Sequence, residues 1–101
     1  MNKKNTESPS ARMKARNERP VLCMRREEGT AVFRYQVAVS SSSPQSYSIY
    51  AEYEDGELYT VGEIPDFSTD RDMAEGFCSI LERFGVTPLS LNAIYEDTYT
   101  P

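Results

Sequence analysis

Asp66-Phe67-Ser68-Thr69-Asp70-Arg71-Asp72-Met73-Ala74-Glu75-Gly76-Phe77-Cys78-Ser79-Ile80-Leu81-Glu82-Arg83-Phe84-Gly85-Val86 reads as one amphipathic helix with marked ends. Met73, Phe77, Ile80, Leu81 and Phe84 fall on one side of a 3.6-residue turn, and Asp72, Glu75, Ser79, Glu82 and Arg83 on the other. Ser68-Thr69-Asp70 marks the start, with Thr69 and Asp72 spaced as a capping box that carries Asp in place of Glu. Asp70 and Asp72 also set negative charge at the positive end of the helix dipole. Gly85 suits a left-handed residue past the last turn, from which Val86 packs back on Leu81. Gly76 sits at the margin of the apolar stripe beside Ile80 and costs about 1 kcal/mol relative to Ala. That cost predicts a close crossing there by another segment, the final element.

Such a helix needs an apolar partner, and the preceding residues supply strands. Val21–Glu27 and Ala31–Val39 flank Glu28-Gly29, and a two-residue turn there pairs Met24 with Phe33 and Leu22 with Tyr35. Ser40–Ser46 reads as a flexible spacer. Tyr47–Glu54 and Glu57–Ile64 flank Asp55-Gly56, the signal of a type I′ hairpin turn, which pairs Tyr53 with Leu58 and Ile49 with Gly62. Pro65 is expected to end the strand, since it has no N–H for a ladder. Beyond the long helix, Thr87-Pro88 reads as the start of a short C-terminal helix that buries Leu89, Leu91, Ile94 and Tyr95, with a final strand as the alternative. The expected fold is α+β: a four-stranded antiparallel meander with one amphipathic helix on one face, followed by the short helix.

The 101 residues carry a net charge of −5 that divides unevenly. Residues 1–20 hold six basic and two acidic side chains, a net +4, whereas the remainder holds five arginines against fourteen carboxylates, a net −9. The first twenty residues are poor in apolar side chains and are expected to be a disordered basic tail on a single acidic domain spanning 21–101. No apolar run reaches the roughly 20 residues of a membrane span, and no signal-peptide core follows Lys3-Lys4. Cys23 and Cys78 are too few for a disulfide framework. A cytoplasmic protein away from membranes is the expectation.

The order of Phe33-Arg34-Tyr35-Gln36-Val37-Ala38-Val39, Tyr47-Ser48-Ile49, Ile64-Pro65-Asp66-Phe67-Ser68-Thr69-Asp70 and Val86-Thr87-Pro88-Leu89-Ser90-Leu91, closing on Ile94-Tyr95-Glu96-Asp97, resembles a known family. It is the small, mainly clostridial bacterial family catalogued as domain of unknown function 6514. The resemblance spans roughly 21–97, with the N-terminal tail and Gly76 standing apart from the pattern. It implies a bacterial cytosolic domain and transfers no functional residue.

The chain has no histidine, and its lysines, Lys3, Lys4 and Lys14, all fall in the basic tail. The body therefore offers no group that titrates near neutrality without a large shift, and Ser–His or Cys–His catalysis is excluded. Two cysteines without histidine do not make a zinc site, and no glycine-rich phosphate loop occurs. No enzyme activity, metal or cofactor is expected. Val32, Tyr50, Tyr59 and Val61 share the sheet face away from the helix and form a candidate surface for an unidentified protein partner or a homodimer. Lys3, Lys4, Arg12, Lys14, Arg16 and Arg19 are the candidate contacts to nucleic acid, to an acidic partner or to the acidic body itself. The expected role is a non-catalytic protein–protein interaction or regulatory module, with a nucleic-acid accessory protein as the alternative.

Overall fold

The computed structural model describes residues 6–99. Its elements are α1 (Pro9–Ala15), β1 (Glu18–Glu28), β2 (Ala31–Ser40), β3 (Tyr47–Asp55), β4 (Leu58–Ser68), α2 (Arg71–Phe84), a 3₁₀ turn (Pro88–Ser90) and α3 (Leu91–Tyr99). The strands form one antiparallel sheet in the order β1-β2-β3-β4, the expected α+β meander.

Both hairpins are shifted two residues from the expected pairing. Glu28 faces Ala31 and Asp55 faces Leu58, so the central turn residues are Gly29-Thr30 and Gly56-Glu57. Gly29 and Gly56 take the positive φ of the first central position (59° and 60°), while Thr30 and Glu57 do not, the pattern of a type II′ rather than a type I′ turn. Met24 therefore faces Tyr35, Leu22 faces Val37, Tyr53 faces Thr60 and Ile49 faces Ile64. A two-residue shift keeps every side chain on its face, so the expected core survives the change in register.

Pro65 does not end β4, which runs on to Ser68. β4 is an edge strand, where a missing N–H is tolerated. The ladder is irregular between Tyr47 and Ile49, opposite Asp66, which takes a positive φ of 51° and donates its N–H to Ser48 Oγ at 3.0 Å. The serine connection is likewise tied rather than loose. Ser40 N–H bonds the Ser46 carbonyl at 2.9 Å, and Ser41 N–H bonds the Asn17 carbonyl at 3.0 Å.

On the inner face Phe33, Tyr35, Val37, Ile49, Ala51 and Ile64 meet α2 and α3. The true cap of α2 is Asp70, not Thr69, and it accepts from the N–H groups of Asp72 and Met73. Gly85 takes the left-handed conformation at φ 61°, and the Val86 N–H bonds the Leu81 carbonyl at 3.1 Å, as the glycine ending predicts. The helix is rotated from its expected orientation. Ala74, Phe77, Cys78 and Leu81 are buried, while Met73, Ile80 and Phe84 stay 45%, 41% and 68% exposed. Full burial of Phe77 and Leu81 is worth about 1.5–3 kcal/mol each. Phe67 stacks on Phe77 at 5.0 Å and meets Tyr95 edge-on at 5.5 Å, which joins α2, β4 and α3. The C-terminal element is a helix as expected. Leu91 is buried and Ile94 and Tyr95 half-buried, but Leu89 points outward.

The close crossing expected at Gly76 occurs at Gly62 instead. A Cβ on Gly62 would lie 2.6 Å from the Pro88 carbonyl oxygen, whereas one on Gly76 would meet nothing within 4 Å. Gly62→Ala is expected to destabilise the fold by about 1–3 kcal/mol, since backbone rather than a flexible side chain must move. Gly76→Ala is expected to stabilise it by up to about 1 kcal/mol. Urea unfolding midpoints of the two variants check both signs.

Candidate functional site

The outer face of the sheet is where partner residues were expected, and its tyrosines are not accessible. Tyr50 is 0% and Tyr59 2% exposed, and Val32 and Val61 are half-buried. Tyr59 donates to Glu52, itself buried and 3.6 Å from Arg34. Burial, followed by the hydrogen bond to Glu52, raises the Tyr59 hydroxyl above the ordinary phenol range. The expected Tyr50/Tyr59 surface is thus internal packing.

Tyr50 is covered by α1, within the segment expected to be disordered. Residues 6–20 form a loop, a helix and the start of β1; Lys3 and Lys4 lie outside the described residues. Ser8 caps α1 by accepting from the Ala11 N–H at 3.2 Å, and Pro9 fills its first turn. Met13 is buried in a small second core with Ala38 and Tyr50. Asn17 makes the joint to β1 at a positive φ of 59°, which Asn tolerates better than most residues.

Charge holds this helix to the sheet. Arg12 and Arg16 both pair with Glu63 of β4, and Arg16 also donates to Tyr50 Oη at 3.0 Å. Glu18 accepts from Tyr50 Oη at 2.5 Å and from Ser48 Oγ at 2.7 Å. Burial alone would raise the Glu63 carboxyl, but hydrogen bonds from Arg12 and Arg16 outweigh it and hold the group below its ordinary range. Tyr50 moves the other way, raised by burial and then by Glu18. Of the candidate cationic contacts, Arg12 and Arg16 are thus committed to the acidic body, one of the three destinations foreseen for them. Lys14 and Arg19 remain exposed.

Sequence reasoning missed Met13 as the anchor of α1, and Glu18, Ser48 and Glu63 in the polar cluster that it docks on. The Ser8-Pro9 helix start was the available signal; the contacts to β3 and β4 had none.

Cys78 lies in the core beneath α2 while Cys23 is exposed on β1, and neither is in a disulfide. Burial pushes the Cys78 thiol up to about 12, with a smaller contribution from Cys23. Among the described residues no group of three or more His, Cys, Asp or Glu converges on a metal site, and no helix is long and apolar enough to cross a membrane.

The remaining feature is the flank of α2. Met73, Ile80 and Phe84 align along one edge of the helix with Gly76 open between them. A family model for a family of unknown function matches residues 18–100. The chain belongs to the DUF6514 family. The match includes all four strands, α2 and α3, and it begins at the joint after α1, so the covering helix lies outside the matched part of this DUF6514 chain. No curated protein and no solved structure matches it.

Two outcomes follow. The Glu63 carboxyl is lowered in the folded state, so its contribution is fully present above about pH 4.3 and is lost as pH falls through the lower folded value. Amide exchange of residues 9–16, corrected for its intrinsic pH dependence, should lose protection in that acidic window, and Glu63→Gln should weaken the protection at neutral pH. In maleimide labelling at neutral pH, Cys23 should react promptly and Cys78 only on unfolding.

Proposed function

We propose that this chain is a non-catalytic protein–protein interaction module that binds through the outer flank of α2. The observation behind this reading is the apolar edge of Met73, Ile80 and Phe84, left open although the same helix buries four other residues. Aligned apolar side chains kept in water are costly unless a partner covers them. The reading moves the contact face from the tyrosines of the outer sheet to the helix on the other side.

A bacterial cytoplasmic setting accompanies it. Its support is the two free thiols, one of them in the core, which suit a reducing compartment. Of the N-terminal cations on which the nucleic-acid alternative rests, Lys14 and Arg19 are the described ones free to serve it, because Arg12 and Arg16 face Glu63.

The test is affinity purification from the native host with the wild-type chain and with Ile80→Glu/Phe84→Ser. The double variant should lose its specific partner by at least about tenfold, as expected for uncovering side chains of this size, while circular dichroism stays unchanged. Equal recovery with both proteins would defeat the reading. DNA or RNA binding that is steeply salt-dependent and lost in Lys14→Glu/Arg19→Glu would favour the alternative.

A further inference from the structure

We infer that the partner of the α2 flank is a second copy of this chain, packed α2 against α2 in antiparallel orientation about a twofold axis. This rests on the reading of that flank as a protein-binding face.

The argument is the pattern along the helix. A twofold interface brings a patch onto itself, so its charges must be complementary under reversal. On the solvent side of the apolar edge, the N-terminal end carries Asp72 and the C-terminal end Arg83, about 16 Å apart along the axis. Between them lie only Gly76 and Ser79, with no charge to oppose its own copy. Neither Asp72 nor Arg83 makes an ion pair among the described residues. Arg83 instead rests over the Phe84 ring at 5.8 Å.

Antiparallel packing centred near Cys78 sets Ile80 of each copy opposite Gly76 of the other. The space where a Gly76 Cβ would stand is open, so it can receive a branched side chain. In the same register Met73 and Phe84 meet at both ends, and each Asp72 comes within reach of the other copy's Arg83. Parallel packing would instead oppose Asp72 to Asp72 and Arg83 to Arg83. Three apolar side chains per copy make a small contact, so a weak, reversible dimer is expected.

Sedimentation equilibrium of the full chain across the range from about 1 μM to about 1 mM tests this. The expected result is a monomer–dimer equilibrium that Ile80→Glu weakens at least about tenfold. Asp72→Lys and Arg83→Glu should each weaken the dimer, and the double reversal Asp72→Lys/Arg83→Glu should restore it, which a merely structural role of either residue would not produce. Circular dichroism confirms that each variant is folded. A monomer throughout the range, a dimer indifferent to Ile80→Glu, or a double reversal no better than the singles overturns the inference. If the chain is monomeric but a different protein loses binding to Ile80→Glu, the inference fails and the proposed function stands; if no binding of any kind depends on Ile80, both fail.

Discussion

The seat of α2 on the sheet through Ala74, Phe77, Cys78 and Leu81 is the constraint from which the rest of the inner layer follows. Ala74 and Cys78 present small side chains to the strands, flanked by Phe77 and Leu81, so the helix axis can approach before larger groups collide. The position is then pinned at its C-terminal end. Arg26 of β1 donates to the carbonyls of Glu82 and Arg83 at 3.0 and 2.9 Å, and Tyr35 of β2 donates to the Val86 carbonyl at 2.6 Å. The two Arg26 bonds reach carbonyls of the last helical turn and place positive charge at the negative end of its dipole. A helix seated through Ala74, Phe77, Cys78 and Leu81 does not turn its whole apolar arc inward. Met73, Ile80 and Phe84 are what remains outside, and the functional reading grows from that surplus.

The opposite face is governed by charge. A sheet with helices on only one side leaves polar and aromatic side chains in contact with water, and here a short basic helix covers part of them. Seven residues are too few for a stable isolated helix, so α1 depends on Met13 and on the Arg12–Glu63–Arg16 cluster. The net +4 of the first twenty residues and the net −9 of the body meet in that cluster. The family match begins at residue 18, after α1, so this helix lies outside the part of the chain that the family defines.

Period and punctuation made much of this legible. Alternation over 31–39 and 47–54 marked the strands and their faces, the glycines at 29 and 56 marked the turns, and Gly85-Val86 marked the helix ending. Register escaped because a glycine with positive φ serves either central position of a tight turn, and moving the turn by one residue shifts the partner by two. The rotation of α2 escaped because Met73, Ile80 and Phe84 outweigh Ala74 and Cys78 in hydrophobicity, whereas packing on the sheet rewards fit. The expected tyrosine surface was placed on the correct face, but the burial of Tyr50 was invisible while α1 was read as tail.

The sequence alone determined most of the strands and helices after residue 20, the end of β4 excepted, and which side of each strand is apolar, because those properties depend on neighbours within a turn or a hairpin. Tertiary structure decided where segments distant in the chain approach. It placed the close crossing at Gly62 under Pro88 rather than at Gly76, docked α1 on Glu63 and Tyr50, and left one edge of α2 in water. Local periodicity carries no information about those distances. They follow from side-chain volumes and charges meeting across the sheet, and they turned the helix from a buried keystone into the candidate binding face.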